Sequence, residues 1–421
     1  MLAKKLLVAV IATALGLLLL ELGGRVVYSA YRHRSFDREE VSARLYGRSP
    51  SERPDEQETE QEEPLRPDLP TMIHPYFGYV FNTTWSDINP YGFFGDGPFA
   101  MRGRDKVIVG VFGGSVADHM FKESRDVLLE ALQKHAAFKD KRIELFSVAV
   151  HAYKQPQQLL ILSTLLALGA QFDVVVNLDG FNEIDAAKDN LQDGINPFYP
   201  HMWNLYAGRS MASAAAVHVG NAQAIYSRRQ AARGWFATWP VAHSTFLLTL
   251  WDFLDQRYEA QLRAETLALK QALAEVATAP QISGPPTAFE DDEDMYREFT
   301  EVWARSSLQM AILCREMGIK YIHFLQPNQY LPGSKKLTEE ELREYYDPKV
   351  ASTRRIATAY PMLIERGREL ARQGVSFVDL TMIFKDEART VYGDDCCHFN
   401  ALGNARLATE IARAIARYDS K

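Results

Sequence analysis

Residues 107–117, Val-Ile-Val-Gly-Val-Phe-Gly-Gly-Ser-Val-Ala, constrain the fold of this chain more strongly than any other stretch. A nearly continuous β-branched run bounded by glycines is typical of a parallel strand that is buried on both faces. Gly113 and Gly114 permit a tight turn after that strand, because glycine adopts backbone conformations that residues with a Cβ resist. Such a turn lifts Ser115 out of the sheet toward a ligand. Ser115 is therefore a candidate nucleophile.

The charge and cysteine content narrow the class of protein. Of the 421 residues, 47% are hydrophobic and 24% charged, which is ordinary for a globular protein. The net charge of −7 comes mainly from residues 52–63, which hold seven acidic residues and one arginine. There is no basic patch, so no nucleic-acid partner is predicted. Cys314, Cys396 and Cys397 are too few for a disulfide framework, although Cys314 could pair with one of the others outside the cytoplasm.

The N-terminus has the features of a membrane-directing segment. Lys4 and Lys5 precede an apolar run over residues 6–20, which Glu21 closes. Because no small residues suit cleavage, residues 1–28 are predicted to be a signal-anchor transmembrane helix, with a cleaved signal peptide or a buried soluble helix as alternatives. The lysines would hold the N-terminus in the cytoplasm, which predicts a single-pass membrane protein with an extracytoplasmic domain, periplasmic or cell-surface in a bacterium.

The rest of the chain divides into a tether and one large domain. Residues 29–70 are charged and punctuated by proline, which predicts a flexible linker. Residues 71–421 form the predicted domain, with a mainly helical insertion at about 186–294 that could act as a lid or cap. The apolar stretch 246–254 within the insertion is predicted to cover the sheet, with a membrane-apposed surface as the alternative.

Strands and helices alternate through the domain, which predicts a parallel sheet with helices on both faces. Ligands of such sheets bind beyond the carboxyl ends of the strands, where Ser115, Ala152, Asn182 and the loop holding His398 all fall. The predicted strands are 107–112, 143–150, 173–178, 321–325 and 375–380, and the predicted helices are 124–135, 155–168, 295–317, 351–373 and 401–418.

Two further sequences supply partners for the serine. Asp395 and His398 are three residues apart, so one helix-like turn would place their side chains on one face. The aspartate can then accept the Nδ1 proton of the imidazole, which leaves Nε2 to take a proton from a serine. Asp394 is the alternative acid, with a poorer spacing to His398. The amide of Asn182, in Asp-Gly-Phe-Asn-Glu, could donate to an oxyanion.

The order Gly-Gly-Ser, Gly-Phe-Asn and Asp-x-x-His resembles the SGNH (GDSL-type) hydrolase family over residues 105–418, apart from the insertion. The resemblance implies a flavodoxin-like three-layer α/β/α fold with about five parallel strands. It implies that Ser115 is the nucleophile, that Asp395 and His398 complete the triad, and that the oxyanion hole combines the amides of Ser115 and Ala152 with the side chain of Asn182.

Two positions depart from the family pattern. Gly114 replaces the usual aspartate before the serine, a variant that resembles membrane-anchored bacterial members with Gly-Gly-Ser. Ala152 replaces the second-block glycine, and its N–H remains a donor if the backbone conformation there tolerates a Cβ. The predicted substrate-lining residues are Gly114, His151, Lys154, Gly180 and Glu183.

No cofactor and no metal are predicted. Asp395-Cys-Cys-His398 has the ligand types of half a zinc site, but its spacing is unusual and the sequence holds no second cluster. A phosphate-binding loop would need a lysine after the glycines, and an α/β-hydrolase would place its nucleophile later than the first strand. The sequence therefore favours a membrane-anchored extracytoplasmic serine esterase for O-acyl, above all O-acetyl, esters of a small molecule or glycan. The alternatives are an O-acyltransferase for an envelope glycan and an inactive binding or scaffold protein.

Overall fold

The computed structural model describes residues 2–46, 71–97, 99–211, 213–238, 241–274 and 279–418. The chain forms two compact units. The sheet unit comprises Pro70–Ala207 and Ala277–Lys421, and the helical unit comprises Met1–Leu69 and Gly208–Val276.

The secondary structure elements are as follows in chain order. The strands are β1 (Thr71–His74), β2 (Gly78–Phe81), β3 (Lys106–Gly113), β4 (Arg142–Ser147), β5 (Val174–Asp179), β6 (Lys320–Leu325) and β7 (Ser376–Asp379). The helices are α1 (Leu2–Arg32), α2 (Arg38–Leu45), α3 (Ser115–Gln133), α4 (Gln157–Ala167), α5 (Phe181–Gln192), α6 (Trp203–Met211), α7 (Ser213–Phe236), α8 (Thr245–Ala274), α9 (Pro280–Ser283), α10 (Asp292–Glu316), α11 (Glu339–Glu344), α12 (Ala351–Arg372) and α13 (Ala401–Tyr418), with a 3-10 turn at Val241–His243.

The sheet unit is built on five parallel strands in the order β4-β3-β5-β6-β7, so the predicted five-stranded parallel sheet is confirmed. With its first strand second in the row, the sheet has the order typical of flavodoxin-like folds. Helices α3 and α13 pack together, as do α4, α5, α10 and α12, which gives a three-layer α/β/α arrangement. An antiparallel pair, β1 and β2, stands outside this sheet.

The register of the strands brings their carboxyl ends together. Gly113 at the end of β3 pairs with Leu178 near the end of β5. Both strands are buried along nearly their whole length, as their continuous apolar runs predict. The loops that follow β3 and β5 therefore meet at one edge of the sheet, where the strand order reverses direction, which is the usual ligand-binding position in such folds.

Helix α3 begins earlier than predicted. It starts at Ser115 directly after the strand, whereas the sequence predicts a helix only from residue 124. The backbone at Ser124 is not helical (φ −134°, ψ 22°), so α3 is two helical segments joined at a kink. The buried positions of the first segment include the polar Asp118, which an apolar pattern does not reveal.

The helical unit holds both the N-terminal segment and most of the insertion. Residues 246–254, predicted to cover the sheet, lie in α8, where Leu248 and Trp251 are buried with Tyr28 of α1 and Val41 of α2. This corrects the prediction, because the apolar face of α8 packs on the N-terminal helices of its own unit. Within the described ranges, no helix combines the length and apolarity needed to cross a membrane. The transmembrane prediction for 1–28 therefore finds no support in the structure.

The predicted linker is helical in its first part. Helix α1 continues to Arg32, and α2 follows after Asp37, whose side chain accepts the N–H groups of Glu39 (2.9 Å) and Glu40 (3.2 Å). An aspartate in this position stabilises a helix by satisfying amides that have no partner within it. Residues 47–70 of the predicted linker lie outside the described residues.

Candidate active site

Ser115 and His398 meet although 283 positions separate them in the chain. His398 Nε2 lies 2.7 Å from Ser115 Oγ. Ser115 is the first residue of α3, directly after β3, and His398 lies just before α13, which packs against α3. The contact has the geometry in which an imidazole takes the proton of a hydroxyl nucleophile.

The acid that contacts the imidazole is Asp394. Its Oδ2 forms a short hydrogen bond with His398 Nδ1, and its Oδ1 accepts the backbone N–H groups of Cys396 (3.0 Å), Cys397 (3.0 Å) and His398 (3.1 Å). The Asp-x-x-His spacing predicts Asp395, so this is a correction. The backbone folds into a turn around the Asp394 carboxylate. This turn brings Asp394, four residues before His398, into contact with the imidazole in place of Asp395, which is three residues before it.

The surroundings of Asp394 keep it ionised. Burial opposes ionisation of this carboxyl, but the hydrogen bonds and charge of His398 and the backbone amides outweigh burial and lower its pKa to about 2. A carboxylate fixed in this state holds the Nδ1 proton on His398. A proton held on Nδ1 leaves Nε2 as the ring nitrogen that can accept the proton of Ser115.

The Asp394 loop is itself held by the segment that follows β6. Three consecutive side chains there donate to three consecutive carbonyls of the loop: Gln329 Nε2 to Asp394 (3.0 Å), Tyr330 Oη to Asp395, and Asn328 Nδ2 to Cys396 (3.2 Å). These contacts fix the turn that presents the carboxylate. The acid therefore depends on a segment more than sixty residues earlier, which no motif indicates.

Asn182 lies against the turn that carries the serine. Its Nδ2 donates to the Tyr153 carbonyl (2.9 Å), and a Cβ added at Gly114 would overlap that same nitrogen. Glycine at position 114 thus allows the close approach of the Asn182 amide. The structure brings together the three sequence blocks that hold Ser115, Ala152 and Asn182. The amide of Ser115 also lies at the N-terminus of α3, where the helix dipole favours negative charge.

Gly113 is required for the turn as well. Its φ of +149° lies in a region that favours glycine, and a Cβ there would overlap the Leu178 carbonyl oxygen of the neighbouring strand. Glycine is therefore required at positions 113 and 114 for two different physical reasons. The first allows the backbone turn, and the second makes room for Asn182.

Ala152 adopts a left-handed backbone conformation, with φ of +57°. A residue with a Cβ adopts this conformation only at a steric cost. We expect Ala152→Gly to raise the free energy of unfolding by roughly 0.5–1 kcal/mol, because relief of this strain exceeds the entropy lost by glycine. Urea denaturation of the wild type and of Ala152→Gly measures this difference in the free energy of unfolding. A lower midpoint for the glycine variant would contradict the strain argument.

Two predicted lining residues are buried behind the site and do not line it. Lys154 is 1% exposed and its Nζ donates to the Tyr199 carbonyl. Glu183 accepts the N–H groups of Gly180 (2.8 Å) and Gln155 (2.9 Å), which ties the second block to the start of α5. Gly180 itself has a φ of +128° and directly precedes that helix. Lys154 and Glu183 therefore support the loops from within.

The burial of Lys154 predicts a pH-dependent stability. Desolvation lowers its pKa to about 7 in the folded protein, against an ordinary value of 10.5. Between these values the unfolded chain binds more protons, so the free energy of unfolding contributed by this group rises as the pH increases from about 7 to 10. We therefore expect the free energy of unfolding to rise more steeply with pH in the wild type than in Lys154→Met. Parallel curves of unfolding free energy against pH for the two proteins would contradict the assignment.

A second polar cluster borders the Ser115–His398 pair. The buried Asp118 contacts His151 Nε2 (3.0 Å) and Lys122 Nζ (2.8 Å) through Oδ2. The His119 ring lies 4.6 Å from that of His398, and burial, followed by the neighbouring His398 and His151, lowers its pKa. A neutral His119 does not repel the positive charge that develops on His398 when that imidazole takes a proton. His151, a predicted substrate-lining residue, contacts Asp118 in this cluster, and its role in lining the substrate site stays a prediction.

A second serine–histidine–aspartate chain is purely interior. His323 contacts Asp179 Oδ1 through Nε2 (2.8 Å) and Ser307 Oγ through Nδ1 (2.7 Å), and Asp179 also accepts from Trp303 Nε1 (2.7 Å). The His323 side chain is 0% exposed. No ester can reach this serine, so the network supports the end of β5 just before Asn182.

Two groups among the described residues have metal-ligand types. Cys396, Cys397 and His398 form one, and Asp118, His119 and His151 form the other. Both nitrogens of His398 already bind Ser115 and Asp394, so metal at the first group would compete with those contacts. In the second group, Lys122 at 2.8 Å already neutralises Asp118. Neither arrangement is that of a preformed metal centre.

Sequence reasoning missed two features of this site and ranked a third, the acid, in second place. Asp118 and His119 stand three and four positions after Ser115 on α3, and a helix predicted from residue 115 would have indicated them. The Asn328–Tyr330 contacts carry no spacing signal. Asp394 was weighed as an alternative acid, but the turn that favours it appears only in three dimensions.

No protein-family model matches this chain, and no curated protein matches it. Similar solved structures include an acetyl xylan esterase, with 12% identity, coverage of 73% of this chain and 100% of that chain, and a TM-score of 0.35. A catalytic mutant of an acetylxylan esterase from Geobacillus stearothermophilus has 10% identity, coverage of 75% and 96%, and a TM-score of 0.32. A mutant acetyl-xylooligosaccharide esterase from Geobacillus has 9% identity, coverage of 74% of this chain and 96% of that chain, and a TM-score of 0.31.

Proposed function

We propose that this protein is a serine esterase of SGNH type that cleaves O-acyl esters, above all O-acetyl esters of a small molecule or glycan. The observation that carries the proposal is the chain of contacts from Ser115 Oγ to His398 Nε2 (2.7 Å) and from His398 Nδ1 to Asp394. A hydroxyl, an imidazole and a half-buried carboxylate in this order form the arrangement that activates serine for acyl transfer.

The first half-reaction forms an acyl-enzyme. Ser115 Oγ attacks the ester carbonyl carbon while its proton passes to His398 Nε2, and Asp394 stabilises the resulting imidazolium. The tetrahedral oxyanion receives hydrogen bonds from the Ser115 amide at the N-terminus of α3 and from the Asn182 side chain, with the Ala152 amide as the third proposed donor. The C–O bond to the leaving alcohol then breaks, and His398 protonates the alcohol oxygen.

The second half-reaction regenerates the serine. His398 takes a proton from water, the hydroxide attacks the acyl carbon, and the carboxylic acid leaves as His398 returns the proton to Ser115 Oγ. A sugar hydroxyl in place of water gives acyl transfer by the same steps. The acceptor, and not the triad, decides between hydrolysis and transfer.

Labelling of the nucleophile tests the proposal directly. A fluorophosphonate should modify the full chain with one-to-one stoichiometry at Ser115, and the modified protein should lose hydrolysis of p-nitrophenyl acetate. Ser124 lies on the same helix and is buried, so its peptide serves as an internal control that stays unlabelled. Absence of both labelling and hydrolysis would favour a scaffold. Mass spectrometry with sugars added as acceptors separates transfer from hydrolysis.

We also propose that the sheet unit acts outside the cytoplasm. The support is the sequence of the N-terminus, in which Lys4 and Lys5 precede an apolar run. Cell fractionation tests this, and recovery of the full chain in the cytosol alone would contradict it.

A further inference from the structure

Two adjacent thiols lie within the loop that carries the proposed acid and base. Cys396 Sγ and Cys397 Sγ are 2.8 Å apart, and both residues stand between Asp394 and His398. Cys396 is half-buried, whereas Cys397 is 2% exposed. The pair thus combines a partly exposed cysteine with a buried cysteine whose sulfur is in contact with that of the first.

The peptide between the two cysteines is held from both sides. The Cys396 carbonyl accepts from Asn328 Nδ2 (3.2 Å), and the Cys397 N–H donates to Asp394 Oδ1 (3.0 Å). Any change that rotates this peptide must break both hydrogen bonds. Because the second one orients the Asp394 carboxylate, the state of the peptide is coupled to the contact between Asp394 and His398.

We propose that Cys396 and Cys397 form a reversible modification site, in which a disulfide between the two neighbours disorders the Asp394 turn and inactivates the enzyme. The consequence for activity rests on the proposed esterase function, whereas the disulfide itself does not.

The chemistry balances with a small disulfide as oxidant. The Cys396 thiolate attacks one sulfur of the reagent, which releases one thiol and leaves a mixed disulfide. Cys397 Sγ then attacks Cys396 Sγ, which releases the second thiol. In total, two protein thiols are oxidised to one disulfide, and one reagent disulfide is reduced to two thiols.

Adjacency makes such a bond both disruptive and labile. Neighbouring Cα atoms are about 3.8 Å apart across a trans peptide, below the roughly 4.4–6.8 Å that disulfides usually span. Closing the small ring therefore has to turn the Cys396–Cys397 peptide away from its present orientation. A bond formed under this constraint is easily reduced, which is a property of regulatory rather than structural disulfides.

The experiment oxidises the full-length protein in buffers with increasing ratios of glutathione disulfide to glutathione. We expect the loss of two titratable thiols, a peptide containing residues 396–397 that is lighter by two hydrogens, and a fall in kcat for p-nitrophenyl acetate of roughly tenfold or more. Dithiothreitol should restore both the thiols and the activity.

Matched variants assign the effect. Cys314→Ser removes a buried thiol in α10 and should leave the sensitivity unchanged. The double variant Cys396→Ser/Cys397→Ser should keep its activity at every buffer ratio, and its thermal unfolding shows whether it is folded. If that variant fails to fold, the wild-type peptide masses and the Cys314→Ser protein still decide the question.

Two results would overturn the proposal. One is that both thiols persist, or that only a mixed disulfide on Cys396 is found. The other is that the 396–397 disulfide forms while kcat is unchanged. If the reduced protein has no esterase activity at all, the proposed function fails, yet the thiol count and the peptide mass still report on the modification site.

Discussion

Ser115→Ala is expected to lower kcat for p-nitrophenyl acetate by about 10⁵- to 10⁶-fold, because it removes the atom that forms the acyl-enzyme. The loss follows from the 2.7 Å contact between Ser115 Oγ and His398 Nε2, the contact through which the serine would be activated. KM should change little, since a methyl group in place of the hydroxyl leaves the binding surface nearly intact. Steady-state kinetics on the purified full chain measure both quantities.

Stability and a second serine provide the controls for this result. Ser115 is not part of the buried core, so the melting temperature of Ser115→Ala should match that of the wild type. Ser163→Ala, on α4, should retain wild-type kcat, because the Ser163 hydroxyl only donates to the Leu160 carbonyl of its own helix. Retention of more than about one-tenth of the wild-type rate in Ser115→Ala would exclude the covalent mechanism.

Asp394→Asn is expected to lower kcat by about 10³- to 10⁴-fold. Asparagine keeps the shape of the carboxylate, but its side chain can no longer stabilise the imidazolium that forms on His398. If its amide nitrogen turns toward Nδ1, the ring is held in the wrong tautomer for a base at Nε2. KM should again change little, because Asp394 contacts the imidazole rather than the substrate site.

Asp395→Asn is the matched control, since it makes the same chemical change one residue away. The backbone carbonyl of Asp395 accepts from Tyr330, and the substitution leaves that carbonyl in place. We therefore expect kcat within about threefold of the wild type, because the substitution removes no contact to His398. The opposite ranking of the two variants would return the acid to Asp395 and contradict the geometry of the loop.

The sheet and the serine turn follow from local sequence. All five strands of the parallel sheet were predicted close to their observed positions. For β3, β5 and β6 the reason is that parallel strands buried on both faces require continuous apolar runs. Helix α13 begins at Ala401 as predicted, from a clear amphipathic period. Regular periodicity of this kind is a property of a short segment and does not depend on distant partners.

Predictions failed where distant partners decide the outcome. The apolar residues of α8 look suited to any buried surface, and only the fold places Trp251 in one buried cluster with Tyr28. Lys154 looks like a polar lining residue, yet its chain is buried with the ammonium on the Tyr199 carbonyl. In both cases the sequence shows what a side chain needs but not which segment supplies it.

The identity of the acid shows the same difference between what local sequence predicts and what distant segments decide. Local spacing favours Asp395, but Asn328, Gln329 and Tyr330 hold three loop carbonyls and thereby select the turn that presents Asp394. By itself, the sequence determined the strands, the glycines before Ser115 and the types of residue that can activate it, because each depends on backbone conformation or side-chain chemistry. Only the tertiary structure decided which carboxylate faces His398, because that choice depends on hydrogen bonds between segments far apart in the chain.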